Sequence, residues 1–155
     1  QQAVADYKKL GYSDKWIANR VKSIDARNEL TNEWKRSGMT EGRDFALLTD
    51  LITKTWSGKT TKEYKQFKGL TKENLRDNMS TIELALNTLA EASTTEISKR
   101  RNPKTMKQNM QIAKEGGSVA KAARLQLETT IGESVVTSIK ASDYIRPIEE
   151  YTENE

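Results

Sequence analysis

Residues 68–103 read KGLTKENLRDNMSTIELALNTLAEASTTEISKRRNP, and this stretch decides the fold because it holds the most regular apolar pattern in the chain. Its apolar and small side chains recur every three or four residues, which places them along one side of an α-helix. They are Leu75, Met79, Ile82, Leu86, Leu89, Ser93 and Ile97. We expect the opposite side to face water; it consists of Arg76, Asp77, Glu83, Asn87, Glu91 and Thr95.

The start of this central helix has two alternatives. Ser80 and Glu83 have the spacing of a capping box, which predicts a helix that begins at Thr81. A separate short helix, capped by Thr71, would then precede it. Alternatively, one unbroken helix runs through both pieces.

The preceding part of the chain also reads as helices separated by turn residues. Ser13 is a candidate N-cap of a long helix that ends at Gly38. Residues 45–56, FALLTDLITKTW, predict a short buried helix, although their threonines leave a strand as the alternative. Thr60 or Thr61 caps the next short helix. The side chains that we expect to anchor the core in this half are Trp16, Trp34 and Trp56.

A last long helix is expected after Asn102-Pro103, with asparagine as its N-cap and proline at the first helical position. It runs to Gly132 and contains Gly116-Gly117, although each glycine costs about 1 kcal/mol relative to alanine inside a helix. The helix therefore either breaks there or packs closely on another helix, within the chain or across a dimer. The small-residue face that would form this interface consists of Ala113, Gly117 and Ala120.

These patterns predict an all-α fold, a compact bundle of six or seven helices with an extended C-terminal tail. Residues 1–12 are expected to form a linker or a short helix, residues 13–140 the helical domain, and residues 141–155 an acidic tail. The tail side chains that could dock on the domain are Tyr144, Ile145, Pro147, Ile148 and Tyr151.

The composition excludes several kinds of chemistry. The 155 residues include no cysteine and no histidine, which removes disulfides, thiolate metal sites and imidazole-based catalysis. No glycine-rich phosphate loop follows a strand, and no apolar run approaches the roughly 18 residues of a membrane span. We therefore expect a cytoplasmic protein that is not an enzyme, with no cofactor, no metal, no membrane association and no small-molecule substrate. A magnesium site built only of carboxylates is the remaining enzymatic alternative.

Charge is strongly segregated along the chain, although the net charge is only +4. Residues 99–124 contain eight basic residues and one acid, whereas residues 143–155 contain five acids and one arginine. A basic stripe on one helix is typical of a phosphate-binding surface; the alternative is a solvated face, or one paired with the acidic tail. No aromatic residue lies nearby to stack on single-stranded bases. The candidate nucleic-acid-binding residues are Arg100, Arg101, Lys104, Lys107, Lys114 and Lys121.

A long ordered pattern over about residues 13–140 resembles a known family. The residues that carry it are Phe45-Ala46, Lys68-Gly69-Leu70, Met79, Glu83-Leu84-Ala85, Thr95-Glu96, Gly116-Gly117, Ala120 and Ala123-Arg124. With these residues the chain looks like the C-terminal half of BRO-family phage antirepressor-like proteins. More distantly, it resembles the C-terminal half of the DNA-damage-inducible protein D family.

The resemblance implies a regulatory function without known catalytic residues. Such proteins usually carry an upstream BRO-type domain implicated in DNA binding, so we expect a longer protein before Gln1. The families are associated with prophages, relief of repression and the DNA-damage response, in which the damage-inducible relative acts on recombinase filaments. We therefore expect a module that binds DNA or a regulatory protein of the repressor or recombinase class. The alternative is an oligomerisation domain that pairs upstream DNA-binding domains.

Overall fold

The structure, a computed structural model, describes residues 2–145. This part of the chain contains helices and no strand, so the all-α prediction is confirmed. A single 3₁₀ turn, Arg76–Asn78, precedes the central helix. The seven α-helices of residues 2–145 are α1 (Gln2–Leu10), α2 (Asp14–Arg36), α3 (Arg43–Ser57), α4 (Thr61–Phe67), α5 (Thr81–Arg101), α6 (Met106–Ile131) and α7 (Ala141–Tyr144).

Local capping determines where most of these helices begin. Ser13 caps α2 and Thr60 caps α4, as predicted. At the start of α5, the Ser80 Oγ accepts a hydrogen bond from the Glu83 N–H, and the Glu83 carboxylate accepts one from the Ser80 N–H at 2.9 Å. This capping box confirms that α5 begins at Thr81.

Two predicted helix starts are wrong. Thr71 caps no helix, because the Glu73 carboxylate accepts the backbone N–H groups of Thr71 and Lys72 and folds the segment into a tight turn. Asn102 is not an N-cap; it has φ 49° and closes α5 in the left-handed conformation that asparagine tolerates. Helix α6 starts three residues later, with Thr105 as its N-cap.

Helix α5 lies at the centre of the bundle. It packs against α2 on one side and α6 on another, and α6 also packs along α3. The three tryptophans are buried in this core, which confirms the prediction made for them. The fully buried apolar side chains around them include Leu30, Leu48, Ile52, Met79 and Leu84.

The predicted orientation of α5 is largely wrong, although Leu86 of the predicted stripe is buried. Ile82 and Leu89, placed on the buried stripe from the sequence, are 39% and 37% exposed. Glu83, Asn87 and Glu91, placed on the wetted side, are at most 2% exposed. The helix turns its polar side to the core because each of these three side chains meets a hydrogen-bonding or charged partner from elsewhere in the chain.

Helix α6 is continuous through Gly116-Gly117, so the alternative of a break is wrong. A Cβ atom on Gly116 would lie 2.7 Å from the backbone nitrogen of Thr94 in α5. A Cβ atom on Gly117 would lie 2.8 Å from the Cβ of Thr55 in α3. The two glycines therefore let α6 approach two helices at once, and these contacts offset their low helix propensity.

The small-residue face is consequently not a dimer interface. Ala113 and Ala120 have no exposed surface, and Gly117 is buried against α3 within the same chain. The prediction of a seam between two copies at these positions is corrected by this packing. The other alternative, close packing within the chain, is the one the structure shows.

The C-terminal residues return to the domain beyond the predicted boundary at residue 140. The Ala141 N–H donates to Asn78 Oδ1 at 2.9 Å, and the Tyr144 hydroxyl donates to the Met79 carbonyl at 2.9 Å. The Tyr144 ring also lies 6.3 Å from that of Tyr12, in the turn between α1 and α2. The domain therefore extends through residue 145, while the proposed anchors Pro147, Ile148 and Tyr151 lie outside the described residues.

Candidate functional site

Three of the predicted phosphate-binding residues form a row on the outer surface of α6. Lys107, Lys114 and Lys121 are exposed and seven residues apart. Because seven residues make almost two full turns, these lysines project from nearly the same side of the helix, about 10 Å apart along its axis. Within residues 2–145 none of them forms an ion pair. We call these three residues the lysine row.

The structure does not bring the other three predicted residues into this row. Arg100 pairs with Glu96 one turn earlier on α5, and Arg101 pairs with Glu115. Glu115 follows Lys114 directly and so lies about 100° around α6 from the row. Lys104 is exposed in the turn before α6, where its N–H donates to the side chain of Gln108.

Arg124, which is also part of the basic segment, stabilises the packing of α6 on α3. Its Nε donates to the carbonyl of Trp56 at 2.6 Å, and its Nη1 donates to Glu128 at 2.9 Å. Trp56 is near the end of α3, so this arginine ties the C-terminal half of α6 to that helix. The carbonyl groups at a helix end lack partners within the helix, and a guanidinium donor satisfies one of them.

Two acids of α5 are buried, although the sequence pattern predicted that they face water. The first is Glu91, which is 1% exposed. Arg76 donates to both of its oxygens at 2.7 and 2.8 Å, and Arg27 of α2 donates to one at 3.0 Å. A carboxylate bonded to two guanidinium groups balances its charge with fixed geometry.

The second buried acid is Glu83, which receives four donors. The Lys68 ammonium lies 3.0 Å from one oxygen, and the Tyr64 hydroxyl donates to the other. The N–H groups of Ser80 and Thr137 donate to the same carboxylate. Burial, with the nearby charge of Glu83, raises the pKa of the Tyr64 hydroxyl well above its ordinary value of 10.0, so tyrosine remains a donor.

This second acid connects three distant parts of the chain. The Lys68 ammonium also donates to the carbonyl of Ile139, so the C-terminal segment that follows α6 is held on the buried pair. Both oxygens of Glu83 are occupied by donors from the chain itself. We infer that Glu83 and Glu91 organise the core, because neither has a free oxygen that faces a substrate.

The Glu91 cluster predicts a specific loss of stability in acid. Burial raises the pKa of Glu91, but the charges and hydrogen bonds of Arg76 and Arg27 outweigh burial and lower it below 4.5. A folded-state pKa below the unfolded value stabilises the fold at higher pH, and this contribution is lost as pH falls below about 4.5. Urea unfolding between pH 7 and pH 3 should therefore show a smaller acid-induced loss in Glu91→Gln than in the original protein. Parallel losses in the two proteins would contradict the assignment.

No helix among residues 2–145 has the length and the hydropathy that are required to cross a membrane.

The described residues form an all-helical domain with a buried ionic core and one basic helix on its surface. The chain belongs to the DinD C-terminal domain family, whose model matches residues 10–144. It is a domain of the DNA-damage-inducible type, which agrees with the more distant of the two resemblances. No curated protein matches the chain.

Proposed function

We propose that this domain is a non-enzymatic, cytoplasmic module of the DNA-damage response that binds the phosphate backbone of DNA through the lysine row. The single observation that carries the proposal is the alignment of three exposed lysines on α6 without acidic partners among the described residues. Lys104, exposed in the turn before the helix, adds a fourth positive charge near the N-terminal end of α6.

The position of the row suits contact with a rigid polyanion. The buried side of α6 is fixed against α3 and α5 through Gly116 and Gly117, so the helix presents its lysines from a stable support. The spacing of about 10 Å between successive lysines corresponds to about three base pairs of rise in duplex DNA. Lysines arranged in this way contact phosphates and carry no base-specific information.

Duplex DNA is the form that the surface favours. No aromatic side chain occurs between residues 68 and 143, so the exposed face of α6 offers nothing on which an unpaired base could stack. Binding to single strands without sequence preference usually combines a basic groove with such aromatic platforms. We therefore expect duplex DNA of any sequence to bind at least as well as single-stranded DNA of equal length.

The test is a charge reversal with a matched control. We expect Lys107→Glu, Lys114→Glu and Lys121→Glu together to weaken binding to a labelled duplex by more than about tenfold, because three phosphate contacts become repulsive. The control reverses Lys9, Lys15 and Lys22, three exposed lysines of α1 and α2, and so changes the net charge by the same amount. Fluorescence anisotropy measures both affinities, and thermal unfolding verifies that both variants fold.

Other outcomes would point elsewhere. If both triple variants lose affinity equally, binding depends only on total charge and the lysine row is not the site. If the original domain binds no DNA, the proposal fails, and a regulatory protein of the repressor or recombinase class becomes the partner to test. Light scattering on the same sample reports whether the domain self-associates, which is what the alternative of an oligomerisation domain requires.

A further inference from the structure

A second basic feature lies away from the lysine row, in a cleft between α3, α4 and the turn that precedes α5. The cleft has a volume of about 330 Å³. Its lining includes three basic residues, Lys65, Lys72 and Arg76, and two threonines of α3. Asn87 of α5 also lines it and is only 2% exposed.

Asn87 has a buried donor without a partner. Its Oδ1 accepts a hydrogen bond from the indole N–H of Trp56 at 3.1 Å. An indole nitrogen can only donate, so this bond fixes the orientation of the amide and directs Nδ2 away from Trp56. Within residues 2–145 Nδ2 has no acceptor. A buried amide donor left unpaired is unfavourable, and an acceptor in the cleft would relieve that cost.

The charges around the cleft favour an anionic acceptor. Arg76 already binds Glu91, whereas Lys65 and Lys72 form no ion pair among the described residues. The one acid of the lining, Glu73, directs its carboxylate to backbone N–H groups of its own turn. Two lysines without ion-pair partners among the described residues and one residue with an unpaired amide donor therefore line the same cleft.

We propose that this cleft binds a small oxyanion, the phosphate or carboxylate group of a ligand, independently of the lysine row. Lys65 and Lys72 would hold the charge at the walls, and the Asn87 amide would donate to an oxygen at the inner end. A phosphate group and a carboxylate group would bind to the same donors. Ligands that differ in the size and charge of this group therefore distinguish the two. The tested ligands are inorganic phosphate, adenosine monophosphate and glutamate.

The experiment is a titration followed by nuclear magnetic resonance of the ¹⁵N-labelled domain. We expect the side-chain amide signals of Asn87 to shift on addition of phosphate or adenosine monophosphate, because the unpaired Nδ2 donor would then form a hydrogen bond to an oxygen of the ligand. A response to glutamate alone would assign the carboxylate source, whereas a response to phosphate and to the nucleotide would assign the phosphate source. Asn87 signals that stay fixed with all three ligands would overturn the proposal.

The variants separate this site from the proposed function. Lys65→Gln with Lys72→Gln should raise the ligand concentration that produces half of the Asn87 shift by about tenfold or more, because the two ammonium groups that would bind the anion are removed. The control, Lys107→Gln with Lys114→Gln, should leave the Asn87 response unchanged even if it abolishes DNA binding. An equal loss in both pairs would reduce the effect to general charge and would contradict a defined site.

Discussion

Glu91→Ala is expected to lower the free energy of unfolding by about 3–5 kcal/mol, because it leaves Arg76 and Arg27 without their shared carboxylate inside the protein. Glu91 is 1% exposed, and the Arg76 side chain is 16% exposed, so water cannot fully replace the lost partner. For a chain of this size such a loss corresponds to a decrease in melting temperature of about 10 °C. Urea titration and thermal unfolding both measure it.

The matched control is Glu96→Ala, five residues further along α5. Glu96 also pairs with an arginine, but both partners are exposed, and surface pairs contribute little to stability. We expect this variant to unfold at the temperature of the original protein. Equal effects of the two substitutions would show that the buried Glu91 cluster contributes no more to the free energy of unfolding than an exposed ion pair does.

Gly116→Ala is the second substitution with a large expected effect. On helix propensity alone it would stabilise α6 by about 1 kcal/mol. The added methyl group would instead meet the Thr94 hydroxyl and lie 2.7 Å from the Thr94 backbone nitrogen, so α5 and α6 must separate. We expect a net destabilisation of about 2–3 kcal/mol, the usual cost of overpacking a tight core.

Two further variants identify the origin of this loss. Ser118→Ala changes an exposed position of the same helix and should leave stability unchanged or slightly higher. Thr94→Ala combined with Gly116→Ala removes the hydroxyl from the collision but not the backbone of α5. Rescue should therefore be incomplete, and full rescue would mean that the backbones do not limit the approach of the two helices.

Much of the fold was predictable because its signals are local. The capping box at Ser80 and Glu83, and the N-caps Ser13 and Thr60, depend on residues three positions apart or fewer. Asn102 misled the prediction because asparagine can both begin a helix and end one in the left-handed conformation. Only the following sequence, with Thr105 and Gln108 as another capping box, indicated where α6 begins.

The buried side of α5 was not predictable from apolar periodicity. That method assumes that the core is apolar, whereas here the core side carries Glu83, Asn87 and Glu91 at intervals of four residues. Their partners come from elsewhere in the chain; Trp56, for example, lies 31 residues before Asn87. A signal in the sequence was the line of polar residues at intervals of four, because residues 81–95 contain no charged side chain other than Glu83 and Glu91.

The exposed position of three candidate residues could be predicted from the sequence. The seven-residue spacing of Lys107, Lys114 and Lys121 is visible in the sequence, and the structure leaves all three exposed on α6. The neighbouring Arg101 was assigned to the same surface, but its partner Glu115 draws it to another side of the helix. Ion pairs between helices depend on how the helices pack, which a charge count along the chain does not report.

The measurement that tests the central claim most directly is the salt dependence of binding to a duplex of defined length. If the three lysines of the row contact phosphates, the logarithm of the association constant should fall with the logarithm of salt concentration with a slope of about −3. The variant with glutamate at all three positions of the lysine row should show a much shallower slope. The control variant with reversed lysines in α1 and α2 should keep the slope of the original domain. Binding with no salt dependence, or a slope that survives reversal of Lys107, Lys114 and Lys121, would contradict the account.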